Sequence, residues 1–377
     1  MRVLIVIHYF PPHIGGMEEV ARNSATSLAG AGHDVTVLTC RHDRRLPLRE
    51  VDRRGFAVRR MAALNTIETR LGVTFPIVSP MFLVEAVRLA RSADVVHIHD
   101  AFYPSSHAAG LATRLVSKPM VMTQHVALVD HPSRVVRAVQ RVVYRLAGRP
   151  LFARAARIVT YNENVRSFLL EQGVQDEKVL LHHNGIDTDY FTPVEAAERA
   201  GLRARYGLPG DRPLVLFVGR LVPKKGYDLV HDARGPRHFT LIVGNGYVDT
   251  GYGDDDDVQY YGPASREELR DLYRAADLFV FPAVGEIFTL VMQEAMSSGL
   301  PVITTDDPGY ASYDLDRTRI ELVTRSAAAI ADAIERVLGD GDRQRAMAAY
   351  SRRVAVARFS WDANFHEELA VYEDVTT

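Results

Sequence analysis

Short runs of β-branched and apolar residues, each followed by a segment of helical character, recur along the whole chain and leave few folds open to it. In the first half they are VLIVIHY (3–9), DVTVLTC (34–40), VVHIHD (95–100), PMVMTQH (119–125) and RIVTYN (157–162). In the second half they are PLVLFVGR (213–220), FTLIVGNG (239–246), VQYYG (258–262), DLFVFPA (277–283) and LPVITTD (300–306). Strand, loop and helix repeated in this way predict a parallel sheet with helices on both faces. A single core seldom grows past ~250–300 residues, so 377 residues are read as two Rossmann-like, doubly wound α/β domains. The first is expected over 1–190 and the second over 213–358, with the polar stretch FTPVEAAERAGLRARYGLPGDR (191–212) as linker.

Charge supports the same division. Residues 1–190 hold 24 Lys+Arg against 17 Asp+Glu, and the remainder 21 against 30, so the two halves are expected to meet different partners. The formal net charge of −2 provides no global field for nucleic acid. The single cysteine, Cys40, excludes an internal disulfide framework and fits a reducing, cytoplasmic setting. No run of 18 apolar residues marks a membrane span. The opening MRVLIVIHYFPP has too short an apolar run, and no small-residue cleavage site, to read as a signal peptide.

In open parallel sheets ligands bind beyond the carboxyl ends of the strands, and two such domains in tandem are expected to face those edges across a cleft. The loops after the strands therefore carry the candidate chemistry. HIGGMEEV (13–20) puts Gly15 and Gly16 before a helix, either as a plain turn or as a place where backbone amides approach an anion. It is not the G-x-G-x-x-G of a dinucleotide dehydrogenase. In VVHIHD, His97 and His99 share a strand face. A zinc reading needs a third ligand, for which His125 is the candidate, but no metal-binding motif supports it. A hydrogen-bonding role is preferred for His97 and a place in the cleft for His99. Asp100 either faces an acceptor hydroxyl or caps the next segment of chain.

In GRLVPKKGYDLV, Arg220 and Lys225 flank a turn ahead of a helix. Two fixed cations at a helix start suit a diphosphate, although a solvated basic loop is the commoner fate of such residues, and Lys224 is expected to face solvent. Gly244, Gly246, Tyr260, Tyr261 and Gly262 either border a base pocket or are core aromatics and turn glycines. Asp254–Asp257 lack the Gly and Glu of an EF-hand loop and read as a solvated loop. In the basic segment 131–158, Arg134, Arg137, Arg141 and Arg145 recur at three and four, with Val and Leu expected opposite them. Packing on its own domain is preferred there to peripheral contact with an anionic membrane. In GEIFTLVMQEAMSSGLPV (285–302), Glu286 and Glu294 lie eight positions apart. On one helix that is ~12 Å along the axis, too far for a carboxylate dyad. They are either two unrelated acids or the grips on two parts of one elongated ligand.

Taken together, GG-x-E (15–18), HIHD (97–100), HNGID (183–187), GRLVPKKG (219–226), E-x7-E (286–294) with EAMSSGLPV, and FSWD (359–362) resemble the retaining glycosyltransferases of the GT-B fold, family GT4. The pairing of GR…KG with E-x7-E is the specific part. The resemblance implies a nucleotide-diphosphate sugar in the C-terminal domain, an acceptor in the N-terminal domain, no bound metal and no cofactor. It matches Arg220 and Lys225 to the cations on the donor diphosphate, Glu286 to the acid on the sugar hydroxyls and Glu294 to the acid on the ribose. Gly16 matches a loop glycine near the phosphates and His99 a histidine near the donor sugar. Gly15, Gly219, Gly262, Phe288, Thr289 and Leu290 complete the expected donor site, the last three through backbone amides. His13, Asp100 and His125 are candidates on the acceptor side. FSWD resembles the start of a last helix, 359–377, that crosses back to the first domain.

The implied reaction moves a hexose-type sugar to an acceptor hydroxyl with retention, without a protein nucleophile. A UDP-sugar is preferred to GDP-mannose, and a small-molecule, glycan or lipid-linked acceptor is expected, in the cytoplasm or at the inner face of the membrane. Thr289 stands where the family often has Gly, and TTDDPGY replaces its usual Gly-Gly loop. The segment after Gly226 is short, and a trimmed helix is expected there. Competing readings are a sugar-nucleotide epimerase, a phosphorylase, which would need a pyridoxal-phosphate lysine, and a non-catalytic nucleotide-sugar-binding protein.

Overall fold

A computed structural model describes residues 1–13, 15–64, 75–128, 134–183, 185–246, 251–284, 289–307, 310 and 313–377, with backbone alone at 134–136 and 139. The chain forms two compact units, residues 1–184 with 364–377, and residues 185–363.

The first unit contains β1 (Arg2–Val6), α1 (Gly16–Gly30), β2 (Asp34–Arg41), β3 (Arg49–Val51), β4 (Ala57–Leu64) and β5 (Ile77–Val78). After these come α2 (Pro80–Ser92), β6 (Val95–His99), α3 (Pro104–Val116), β7 (Met120–Thr123), α4 (Arg134–Val143), α5 (Arg149–Arg154), β8 (Arg157–Thr160), α6 (Glu163–Glu171) and β9 (Val179–Leu181). Among the described residues its sheet runs β3-β4-β2-β1-β6-β7-β8-β9, with β5 paired to β4. From β2 to β9 the pairing is parallel, and β3 and β5 join β4 antiparallel. Alternation along the strands feeds two cores. Leu4, Val6, Leu38, Val96, Ile98, Met120 and Met122 point to one face, and Val3, Ile5, Val35, Val37, Val95 and Val121 to the other.

The second unit contains α7 (Ala196–Arg205), β10 (Leu214–Val218), α8 (Tyr227–Asp232), β11 (Phe239–Val243), β12 (Val258–Gly262), α9 (Arg266–Ala275) and β13 (Leu278–Phe281). It continues through α10 (Leu290–Ser297), β14 (Val302–Thr305), β15 (Glu321–Val323), α11 (Ala327–Leu338) and α12 (Gly341–Val354). All described pairings in its sheet are parallel, in the order β12-β11-β10-β13-β14-β15. Helix α9 shows how local sequence sets an element. The Ser265 hydroxyl accepts from the Glu268 amide at 3.2 Å, and the Glu268 carboxylate accepts from the Ser265 amide at 2.7 Å, a capping box.

Two boundaries differ from expectation. The segment 191–212 is not a bare linker, because it contains α7. There Arg203 pairs with Asp277 and donates to the Ala275 carbonyl at 2.9 Å, which builds it into the second unit. The chain instead changes units near 184 and 363, and residues 364–377 of the last helix, α13 (Trp361–Thr376), belong to the first unit. Ile186 and Ser360 form a bridge between the two connecting segments. A Cβ on Gly185 would lie 2.1 Å from the Trp361 ring, so the HNGID and FSWD motifs meet through glycine at that place. Helix α8 has six residues, as the short segment after Gly226 requires.

Candidate functional site

Each sheet has one point where the winding direction reverses, and in a doubly wound fold the crevice beyond that point receives the ligand. In the second unit it lies between β10 and β13, which pair at Val215–Leu278 and Leu216–Phe279. The loop after β10 carries Gly219, Arg220 and Lys225. Arg220 is exposed, and the Lys225 ammonium lies 5.5 Å above the Phe281 ring at the end of β13, within reach of a cation–π attraction.

The turn that bears these cations is held by its backbone. Gly226 adopts φ +79°, and a Cβ there would stand 2.7 Å from the Pro282 carbonyl oxygen, so only glycine fits without displacing the neighbouring loop. The Val284 amide donates to the Lys224 carbonyl at 3.2 Å. Arg325 donates to the carbonyls of Pro223 and, at 3.1 Å, of Pro282, tying the two crevice loops together. Arg325 is not among the residues expected from the sequence, because nothing local marks a residue 102 positions away from its partner. Gly244 explains the close approach of β10 and β11: its Cβ would fall 1.7 Å from the Gly219 carbonyl oxygen.

Beyond β13, Gly285, Glu286 and Phe288 lie outside the described residues. Helix α10 begins at Leu290 with Thr289 in the capping position. The Thr289 hydroxyl is buried and has no hydrogen-bond partner among the described residues. Glu294, half-buried on α10, accepts from the Tyr273 hydroxyl at 3.1 Å. Burial pushes its carboxyl up to about 7, against the opposing effects of the Tyr273 hydrogen bond and the Arg266 charge. A cavity of about 460 Å³ beside the ends of β14 and β15 is lined by Val284, Thr305, Asp306 and Arg325.

The proposed base-pocket residues divide. Tyr261 donates to Glu268 at 2.8 Å and supports the α9 cap, while Tyr260 is half-buried with its hydroxyl 3.2 Å from His231 Nδ1. Gly262 has φ +80° with open space where a Cβ would be, and its carbonyl accepts from the Gly244 amide at 2.9 Å. The aspartates at 254–257 are more engaged than a solvated loop. Asp255 pairs with Arg234 at 2.7 Å, Asp257 pairs with Arg212, and Asp254 accepts from the Tyr260 amide at 2.7 Å.

In the first unit the reversal lies between β1 and β6. His8, after β1, stacks on Tyr103, after β6, with centroids 3.8 Å apart. The Glu18 carboxylate of α1 is buried beneath Gly15, where a Cβ would lie 2.2 Å from its Oε2. His13 Nδ1 stands 2.6 Å from Glu18 Oε1 and His8 Nε2 3.7 Å from it. A Cβ at Gly16 meets open space, so the need for glycine is at Gly15.

His97, His99 and His125 stack in sequence, with centroids 4.5 and 5.2 Å apart. His97 is wholly engaged: Nε2 lies 2.7 Å from the Thr123 hydroxyl, and Nδ1 lies 2.6 Å from the Tyr372 hydroxyl and 3.1 Å from Glu368. His99 is 1% exposed and lines, with His97, Thr123 and Tyr161, a small cavity of the first unit. Its Nδ1 is 3.0 Å from His125 Nε2, and its Nε2 has no partner among the described residues. Burial and the neighbouring imidazoles hold His99 well below the ordinary histidine range, and burial with the His97 charge takes His125 to about 3. Among the described residues no three His, Cys, Asp or Glu side chains converge as a metal site.

Asp100 takes the capping alternative. It has φ +61° and accepts from the Phe102 amide at 2.9 Å, the local bond that lets Asp occupy this region. Its carboxyl, fully buried, is pushed up to about 6.

The basic helix differs from its expected pattern. Gln140, Tyr144 and Gly148 form its buried stripe, while Val142 (54% exposed) and Leu146 (72% exposed) share solvent with Arg141 and Arg145. Among the described residues no helix is long and apolar enough to cross a membrane.

Known proteins share both the sequence pattern and the fold. The family model described as glycosyl transferases group 1 matches residues 198–354, and that of Glycosyltransferase Family 4 matches residues 14–190. The D-inositol 3-phosphate glycosyltransferase of Xylanimonas cellulosilytica is 32% identical over 313 residues, covering 78% of this chain and 74% of that protein. Its counterpart in Mycolicibacterium smegmatis is 31% identical over 306 residues, covering 74% and 67%. Among solved structures, Anabaena HepE in complex with UDP superimposes with a TM-score of 0.75 at 17% identity, covering 99% of this chain and 100% of that one. Sucrose-phosphate synthase from Thermosynechococcus elongatus superimposes with a TM-score of 0.70 at 22% identity, covering 99% and 98%.

Proposed function

The chain belongs to glycosyltransferase family 4 and has the GT-B fold, and from that premise we propose that it moves a hexose from a UDP-sugar to an acceptor hydroxyl with retention, forming an α-glycosidic bond. The observation that carries the donor reading is the clamped turn at the winding reversal of the second unit, which presents Arg220 and Lys225 from a backbone fixed by Gly226 and Arg325. Fixed cations stabilise charge that develops on a leaving diphosphate without reorganising. HepE, solved with UDP and with UDP-glucose, supports uridine as the base.

In this reading the bond between the anomeric carbon and the β-phosphate oxygen breaks, leaving its electron pair on the diphosphate. The acceptor oxygen bonds to the same face of that carbon, and its proton passes to the departing phosphate oxygen. Arg220 and Lys225 carry the diphosphate charge, Glu294 accepts from the ribose hydroxyls and Glu286 from those of the sugar. Neither a metal ion nor a protein nucleophile is part of the scheme. The acceptor lies with the first unit. A phosphorylated acceptor is supported by the names of the relatives and by the cationic balance of residues 1–190. The buried thiol of Cys40 supports action in the cytoplasm. Exposed Val142 and Leu146, next to Arg141 and Arg145 respectively, favour, as a second element, peripheral contact with an anionic membrane.

A thermal-shift panel of UDP-, GDP-, ADP- and dTDP-sugars tests the donor, because a ligand of the native state raises apparent stability. UDP-sugars are expected to give the largest shift, and Arg220→Ala or Lys225→Ala to weaken UDP by about ten- to a hundredfold, the value of a charge-assisted hydrogen bond. Absence of turnover or donor hydrolysis with every nucleotide sugar would rule out the transferase.

A further inference from the structure

Helix α9 turns a tyrosine towards α10 from outside every motif of the donor site. Tyr273 is 0% exposed, and a buried phenol hydroxyl needs a partner. That partner is Oε2 of Glu294, at 3.1 Å. An ionised carboxylate only accepts, so Tyr273 is the donor. Burial and the Glu294 charge raise the Tyr273 hydroxyl well above its ordinary value, so it keeps its proton. Donation to the carboxylate favours the ionised acid and opposes the burial that pushes Glu294 up to about 7. Arg266 acts in the same sense, and among the described residues these two groups of α9 are the ones that act on the carboxyl.

The tyrosine ring is itself held. Phe191 stands edge-on to it with centroids 5.8 Å apart, and Phe279 of β13 lies 5.9 Å away. The Phe191 carbonyl accepts from the Ser297 hydroxyl at 2.6 Å and from Arg352 at 3.0 Å. Ser297 ends α10, so the tyrosine and the helix that carries its acceptor are anchored to one residue. The end of the HNGID motif supports the same place. Asp187 accepts from the Tyr190 amide at 3.0 Å and pairs with Arg266 at 3.1 Å, and the Arg266 guanidinium lies 4.6 Å from the centre of the Tyr190 ring. A hydroxyl fixed in this way holds its acceptor in one orientation before any ligand arrives.

We propose that Tyr273 is a positioning residue of the nucleotide site: its hydroxyl takes Oε2 of Glu294 and so leaves Oε1 directed to the ribose hydroxyls. The proposal rests on the reading that Glu294 receives the ribose. Tyr273 acts through Glu294 and is not assigned contact with substrate.

The test is isothermal titration of the full chain and of Tyr273→Phe with UDP and with 2′,3′-dideoxy-UDP, which lacks both ribose hydroxyls. The substitution removes the hydroxyl and keeps the ring against Phe191 and Phe279, and a melting temperature near the parent's shows that the variant is folded. At pH 8 the parent is expected to prefer UDP. Tyr273→Phe should lower that preference by about tenfold and bind dideoxy-UDP as the parent does. Equal weakening of both nucleotides would mean a structural role alone and overturns the proposal, as does an unchanged preference. A second readout needs no ligand: carbon-13 NMR titration of the Glu294 carboxyl, assigned with Glu294→Gln. Loss of the hydroxyl donor should move its midpoint up by about one pH unit, and a midpoint equal to the parent's also overturns the proposal. If the midpoint moves as stated but the parent binds the two nucleotides alike, the ribose reading is what fails, and the positioning role falls with it while the Tyr273–Glu294 bond stands.

Discussion

His97 Nδ1 lies 3.1 Å from Glu368 Oε1 across 271 residues of sequence, which joins a central strand of the first sheet to the last helix. Ser24 donates to both oxygens of the same carboxylate, at 2.6 and 2.7 Å, and the Tyr372 hydroxyl donates to it as well. The returning helix is thus held by a buried carboxylate with several donors and not by apolar burial alone.

Removing that carboxylate leaves several polar groups without their acceptor. Glu368→Ala is expected to cost about 3–5 kcal/mol, the price of breaking a buried pair, and Glu368→Gln less, since an amide oxygen still accepts. Urea unfolding followed by Trp361, the single tryptophan, at the start of the same helix, measures both; equal stability of Glu368→Ala and parent would refute the role.

The first unit should lose stability as pH falls below 6.5. His8 is taken to about 3 by burial and by the charges of His13 and His125, and His125 to about 3 by burial and His97. The unfolded chain therefore binds protons between about pH 6.5 and 3 that the native unit does not, and stability falls with pH over that window. Glu368 adds to this at lower pH. Burial alone would raise it, but the His97, Ser24 and Tyr372 hydrogen bonds and the His97 charge leave it below the ordinary glutamate value, so its contribution is lost as pH falls through that lower value. Melting temperatures from pH 8 to 4 test the window, and His8→Phe, which keeps the stack on Tyr103, should flatten it.

Arg325 and Gly226 position the cationic turn without being assigned contact with donor. Arg325→Met frees the carbonyls of Pro223 and Pro282 and should raise the Kd for UDP by about tenfold, the value of one charge-assisted hydrogen bond. Gly226→Ala combines φ +79° with a contact of 2.7 Å to Pro282 and should cost about 1–2 kcal/mol in stability together with donor affinity. Titration of UDP and thermal melts of both variants separate affinity from folding; unchanged UDP affinity in both removes the clamp from the account.

Glu294 should give nucleotide binding a pH dependence. Its folded-state value of about 7 is raised by burial, so it is ionised above pH 7 and able to accept from the ribose hydroxyls, and it gains a proton below. UDP affinity is expected to fall as pH drops from 8 to 6, and Glu294→Gln to weaken binding at pH 8 and remove that step. The sign for the unliganded fold is opposite: the native state holds its proton between about 4.5 and 7 where the unfolded chain does not, so this group lowers stability as pH rises through that range. A pH-independent Kd in the parent would count against contact with the ribose.

Ten of the parallel strands were legible because their apolar runs are short, β-branched and regularly spaced. Strands β3, β4, β5, β9 and β15 were not: β5 has two residues and β3, β9 and β15 three each, and β4 (AVRRMAAL) carries two adjacent arginines within its apolar pattern. The linker was misplaced because the polarity of 191–212 comes from the exposed side of α7, whose Arg203 is buried against Asp277. Val142 and Leu146 were expected on the packed side of their helix, yet the buried stripe follows Gln140 and Tyr144.

By itself the sequence determined the fold class, the loops at which chemistry can occur and the two cations after β10, since periodicity, turn glycines and charge are local properties. Tertiary structure alone decided that His99 is buried, that Asp100 caps a turn, that Glu18 is covered by Gly15, and that Arg325 and Glu368 hold loops and helix in place. The last two depend on groups 102 and 271 positions apart, and no local rule determines which distant partners a buried group will meet.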